Sequence, residues 1–213
     1  MNRRRRISLK TDATGKFFFP IGVEMDEGEN YRQVQAYEVN YLIEDGGQRY
    51  QYVVVVSVER VAGLFRKMAR YLPDWVSVIM EVPAPDERAK DYCDVWMSPP
   101  VPRTKMLQIF QRHLFLFCHD GMVGFGGADP DEGGDELFLD DHKILYYSSP
   151  ELGKLKPLLE EEGLPRLKRL RHFSDLSHVH YSLSRRNQGE DYLKVLENLR
   201  SEVGLEWQDT KEY

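Results

Sequence analysis

Cysteine is nearly absent: Cys93 and Cys118 are the only two in 213 residues. A single pair cannot staple a chain of this length, so a disulfide-built secreted scaffold is excluded and reduced thiols in a cytoplasmic protein are expected. Long apolar runs are missing as well. No window approaches the roughly 20 apolar residues of a membrane helix, so no membrane partner is expected. Arg5-Arg6-Ile7-Ser8-Leu9-Lys10 resembles a twin-arginine export signal, but Thr11 to Lys16 is polar where such a signal needs an apolar core. Positive charge is short, with a formal net charge of −6. That balance opposes nucleic acid unless the bases cluster. No nucleophile elbow, P-loop or dinucleotide fingerprint is present, and no cofactor is expected.

Aromatic residues are plentiful, with 12 Tyr and 10 Phe, which demands a packed core. The patterning predicts an α+β fold, with mostly antiparallel sheet and helices on one face. After a basic tail over 1–16, Phe17 to Met25 reads as an edge strand because Pro20 forbids a central one. Tyr37, Val39, Tyr41 and Ile43 alternate with polar or small residues, and Tyr50 to Val58 is a continuous apolar strand. Asp45-Gly46-Gly47 supplies the hairpin turn between them. Val61, Leu64, Phe65, Met68 and Leu72 make one stripe of a helix capped by Ser57. Strands are expected over 76–82 and 92–97, with a loop over 83–90. Ser98-Pro99-Pro100-Val101-Pro102 is a rigid connector.

Beyond it, Thr104 is expected to cap a short helix reaching His113. Leu114 to Cys118 and Met122 to Phe125 read as a hairpin, and 136–139 and 143–147 as strands. Pro157 is expected to break a helix begun near Ser149. Leu167 to His172 and His178 to Leu183 read as strands. A final helix over 190–203 ends on Gly204. This rhythm suggests two pseudo-repeated ββαββα lobes, 17–102 and 103–213, or one continuous domain.

Three of the six histidines, His172, His178 and His180, fall within nine residues. His178 and His180 are two apart, so on a strand they share a face, as two ligands of a zinc or iron site would. Asp175 adds a carboxylate if its loop turns back. Ordinary surface histidines are the plainer explanation, because the ligand set is incomplete. His172-Phe173-Ser174 and His180-Tyr181-Ser182 each repeat the His-x-Ser pattern of two-histidine phosphoesterases, but without the wide separation those enzymes have. The acidic loop from Asp129 has Asp at the first and third positions of a calcium loop, yet Gly133 at the fifth and Asp140 at the twelfth, so a solvated turn is favoured. Pro130-Asp131 with Asp141-His142-Lys143 has the form of a metal-dependent nuclease motif built from common fragments. Cys118-His119-Asp120 holds the residue types of a cysteine nucleophile but reads as core. The glycines from Gly121 to Gly127 suit a closely approached hairpin.

Charge is sorted along the C-terminal half. Pro165 to Arg186 carries six bases, Arg166, Lys168, Arg169, Arg171, Arg185 and Arg186, against one acid, Asp175. Asp129 to Asp141 carries seven acids and no base. Such blocks can present an anion- or partner-binding face, or can simply be solvated. The favoured expectation is a non-enzymatic binding or regulatory module with a protein partner. The alternatives are a small metal-dependent hydrolase built on His172, His178 and His180, and nucleic-acid binding through the 166–186 block.

Overall fold

The computed structural model describes residues 11, 15–26, 31–44, 47–84 and 92–212. Most of the basic tail, the Asp45-Gly46 turn and most of the 83–90 loop lie outside these residues. The fold is α+β. Along the chain run β1 (Val23–Met25), β2 (Ala36–Glu44), β3 (Gly47–Val55), α1 (Val58–Met68), β4 (Trp75–Pro83), β5 (Tyr92–Met97), β6 (Val101–Pro102), α2 (Arg103–Arg112) and α3 (Leu114–His119). There follow β7 (Gly124–Ala128), β8 (Glu136–Leu139), β9 (Leu145–Ser149), α4 (Lys156–Glu161), β10 (His178–His180), α5 (Tyr192–Val203) and β11 (Glu206–Glu212).

Nine strands form one antiparallel sheet in the order β11-β5-β4-β7-β8-β9-β3-β2, with β6 added beside β4. Strands from 17–102 and from 103–213 interleave in it. The Ser98–Pro102 connector folds back on β4, where Ser98 Oγ accepts from Val78 N at 2.9 Å. The β2–β3 hairpin holds full register from Ala36 opposite Val55 to Glu44 opposite Gly47. β1 and β10 make a separate two-stranded sheet.

All five helices bury their apolar stripes on one face of the large sheet, as the patterning predicts. Phe65, Phe110, Phe117 and Phe125 stack there, with ring centroids 4.1 Å apart for both Phe65–Phe110 and Phe117–Phe125. The opposite face carries a smaller core. Phe17, Phe19, Leu170 and Phe173 cover Ala36, Val53, Val55 and Ile144. This second cover is what positions the histidines.

Several elements differ from the sequence reading. Residues 114–118 are helical, not extended. A short apolar run is compatible with either state, and burial of Leu116, Phe117 and Cys118 beneath α1 and α2 selects the helix. Pro157 starts α4 rather than breaking a helix, because the first turn needs no N–H from it. Ser57 stands before α1, but its Oγ accepts from Phe18 N at 2.8 Å and donates to Glu59 instead of capping. Likewise α2 begins at Arg103 behind Pro102, with no cap from Thr104. Only Val23–Met25 of the 17–25 segment is a strand, and only 178–180 of 178–183. Residues 167–172 are not a strand; one bridge joins Arg166 to Tyr37. The helix expected over 190–203 is α5, N-capped by Asp191 and closed by Gly204 at φ 72°. Strand β11 follows it, and nothing in the patterning pointed to it.

The N-terminal segment is held by a backbone crossing. Gly22 N donates to His119 O at 2.7 Å, Tyr181 N donates to Gly22 O at 2.9 Å, and Gly121 N donates to Tyr181 O at 3.3 Å. A Cβ on either Gly22 or Gly121 would collide with the other's backbone. Gly121→Ala should therefore lower the unfolding free energy by about 3 kcal/mol, read from urea midpoints.

Glu202 on α5 binds Lys105 Nζ at 2.5 Å and Arg112 at 2.6 and 2.9 Å. Hydrogen bonds from Arg112 and Lys105 hold its pKa at about 2, below the ordinary 4.5. A depressed carboxyl pKa stabilises the fold above the unfolded value and is lost as pH falls through the folded one. Glu202→Gln should thus cost stability at pH 7 and flatten the acid loss between pH 4.5 and 2, followed by thermal unfolding across pH.

Candidate metal centre

Two alternating strand residues and one turn residue build the site. On β10, His178 and His180 project from one face while Val179 points to solvent, 55% exposed. Pairing with β1 sets Met25 opposite His178 and Val23 opposite His180. The third residue, His142, comes from the turn joining β8 to β9.

That turn is rigid for identifiable reasons. Lys143 adopts left-handed backbone with φ 67°. Its buried Nζ donates to Val123 O at 2.5 Å and to Asp140 O at 3.2 Å. Ile144 N donates to Asp140 Oδ1 at 2.7 Å. Burial pulls the Lys143 pKa down, and Asp120, Asp141 and Asp140 pull it back up. The turn is thereby pinned from beneath, with His142 facing β10.

The imidazoles of His142, His178 and His180 form one group, with ring centroids 4.4–5.0 Å apart. One ligand atom from each lies within 4.8 Å of the others. Each Nδ1 is engaged. His142 Nδ1 lies 2.8 Å from Asp141 Oδ1 and 3.4 Å from Asp140 Oδ2. His180 Nδ1 lies 2.9 Å from Asp141 Oδ2. His178 Nδ1 lies 2.6 Å from Leu176 O, a carbonyl that can only accept, so this nitrogen carries the proton. Carboxylate acceptors assign the same tautomer to the other two rings. The three Nε2 atoms are left facing one another. His142 Nε2 and His178 Nε2 are 3.0 Å apart, and His180 Nε2 is buried without a hydrogen-bond partner among the described residues.

The carboxylates sit behind the rings and leave the Nε2 side clear. Burial disfavours charge on His142, but Asp140 and Asp141 outweigh it and raise the pKa to about 10. Burial likewise opposes charge on Asp141, yet hydrogen bonds from His142 and His180 hold its carboxyl well below the usual range. His178 has no carboxylate partner; burial lowers its pKa, and the His180 and His142 charges add to that.

Of the four sequence candidates, His178 and His180 come together. His172 and Asp175 do not enter the group. They close the 3₁₀ turn Phe173–Asp175, with His172 N donating to Asp175 Oδ2 at 3.1 Å. His142 was missed as a ligand, and Asp140 and Asp141 as its supports. The signal was the Asp140-Asp141-His142 run at a strand end, which the sequence reading divides between a nuclease fragment, Asp141-His142-Lys143, and the last position of a calcium loop, Asp140. Lys143 of that fragment is committed to backbone carbonyls, and Asp131 is exposed. Cys118-His119-Asp120 is structural: burial raises the Cys118 pKa to about 11, and Asp120 accepts from Ser182, Leu183 N and Met122 N. Ser182 thus faces Asp120 and not His180. A cavity of about 420 Å³ between α1 and α3 shares no residue with the histidine group.

The six bases of the 166–186 block are all exposed, and they divide. Arg186 lies over the Tyr181 ring at 3.3 Å and against Glu24 at 3.4 Å. Glu24 pairs with Val179, so this pair occupies the face of the small sheet turned away from the histidines. Arg166 to Arg171 belong to the segment that covers the second core. In the acidic block, Asp135 pairs with Lys154 and Asp141 with two of the histidines.

No family model, no curated protein and no solved structure matches this chain. No helix among the described residues is long and apolar enough to cross a membrane, and both cysteines are free.

Asp141→Asn would leave one amide to serve two imidazole N–H groups. The His142 pKa should fall from about 10 toward its ordinary 6.5 with the fold retained, followed by NMR titration of the imidazole protons.

Proposed function

We propose that this protein is a metal-dependent hydrolase in which His142, His178 and His180 hold a divalent transition metal, zinc before others. The observation that carries this reading is the convergence of three Nε2 atoms whose rings are each fixed through Nδ1. The 3.0 Å approach of His142 Nε2 to His178 Nε2 needs a shared cation, a proton or a metal, and a bound metal would displace the proton that Asp140 and Asp141 favour on His142. A tetrahedral zinc with bonds of about 2.05 Å would separate its ligands by roughly 3.3 Å, within a few tenths of this spacing. Imidazole donors suit zinc, and Asp141 supplies the outer hydrogen bonds that zinc-bound histidines usually have.

The carboxylates bond to the Nδ1 side, so the ligand set numbers three. Structural zinc sites are closed by four protein ligands, whereas three leave a position for water. Zinc lowers the pKa of such a water to near 7 and makes hydroxide available for hydrolysis. The expectation of a non-catalytic module rests on segregated charge, which does not account for three converging imidazoles. The free cysteines accord with a cytoplasmic setting.

Cobalt(II) or zinc titrated into metal-stripped protein should bind at one equivalent per chain, with the visible bands of four-coordinate cobalt. His142→Ala and His178→Ala should each weaken binding by at least about a hundredfold. Circular dichroism of both variants separates ligand loss from unfolding. Binding that survives both substitutions in folded protein would overturn the reading.

A further inference from the structure

We infer that the cavity between α1 and α3 binds a small aromatic amine, its apolar body against the two helices and its ammonium met by the carboxylates of Glu59 and Glu190. The cavity shares no residue with the three histidines, so this site stands apart from the metal reading.

Helical spacing builds the walls. On α1, Val58 and Ala62 are four residues apart and lie on one face. On α3, Leu114 and Cys118 are related in the same way, as are Phe115 and His119. These side chains line a space of about 420 Å³, a volume in the range of small-molecule pockets. Phe115 is left 39% exposed there, and its ring centroid lies 4.8 Å from that of His119. Two adjacent rings and four small or aliphatic side chains suit a flat apolar body.

Charge selects the class of ligand. Glu59 and Glu190 both line the cavity. Glu59 Oε2 accepts from Ser57 Oγ, and Glu190 Oε2 accepts from His113 Nδ1 at 2.6 Å. The second oxygen of each carboxylate has no hydrogen bond among the described residues. Arg112 is the one guanidinium in the lining, and it is spent in a fork on Glu202 at 2.6 and 2.9 Å. Burial and the charge of Lys143 bring the His119 pKa down to about 4, so its ring is uncharged at pH 7. An anion entering this space would meet two carboxylates and no free cation. A wholly apolar molecule would strip water from those carboxylates and return no hydrogen bond. An ammonium on an aromatic body answers both demands, since it donates to carboxylate oxygens and is attracted to the face of a ring such as Phe115.

The test uses the full-length protein with three probes of one shape: tryptamine, its uncharged counterpart tryptophol and its anionic counterpart indole-3-propionate. Binding is read by saturation-transfer NMR and calorimetry, with and without added zinc. Tryptamine should bind at one site per chain, at least about tenfold more tightly than either counterpart, and zinc should leave this unchanged. Glu59→Gln and Glu190→Gln should each weaken tryptamine binding roughly tenfold. Ala62→Phe should fill the space and abolish binding, with circular dichroism showing that each variant is folded. Equal affinity for the three probes, preference for the anion, or no binding of tryptamine would overturn the assignment. So would tryptamine binding that persists unchanged in all three folded variants, or that requires zinc and so belongs to the histidines.

Discussion

Lys143 places a cationic side chain where water cannot solvate it. The buried ammonium must be met by fixed partners, and the chain supplies two backbone carbonyls, from Val123 and Asp140, and three surrounding carboxylates, from Asp120, Asp140 and Asp141. Those demands set the course of the turn between β8 and β9. The same Asp140 and Asp141 then reach the other way to His142 and His180. A single electrostatic arrangement thus ties the floor of the sheet to the imidazoles above it.

The centre joins two parts of the fold that are otherwise distinct. His142 belongs to the large sheet, while His178 and His180 belong to the two-stranded sheet formed with the N-terminal segment. Gly22 and Gly121 let that segment approach closely, and Phe17, Phe19 and Phe173 pack it down as the second core. A cation shared by the three Nε2 atoms would fasten this cover to the large sheet, adding cohesion that the small core alone supplies weakly.

Much of the fold was legible along the chain. Alternation located β2, uninterrupted valines located β3, and a single apolar stripe located each of α1 and α5, because those patterns answer directly to burial on one or two faces. Local reading failed where the decisive contact was distant. The run at 114–118 becomes helical only because Phe110 and Phe125 stack against Phe117. Pro157 falls in the first turn of α4, where its missing N–H costs nothing, because the helix begins at Lys156 and not near Ser149. Ser57 gives up a cap to receive Phe18 N. Strand β11 exists because β5 offers an edge to pair with, a fact no property of Glu206–Glu212 announces.

The candidate centre divides in the same way. His178 and His180 declared themselves, since spacing by two on a strand forces a shared face. Which residues complete the set did not, for His142 lies 36 positions away and His172, a near neighbour, belongs to a different turn. By itself the sequence determined the α+β class, the apolar faces and the sorting of charge, all of which follow from local periodicity and composition. Tertiary structure alone decided that a turn histidine meets two strand histidines with their Nδ1 atoms engaged and their Nε2 atoms turned toward one another. Convergence of these nitrogens depends on sheet order and on a buried lysine's partners, and those are set by the packing of the whole chain.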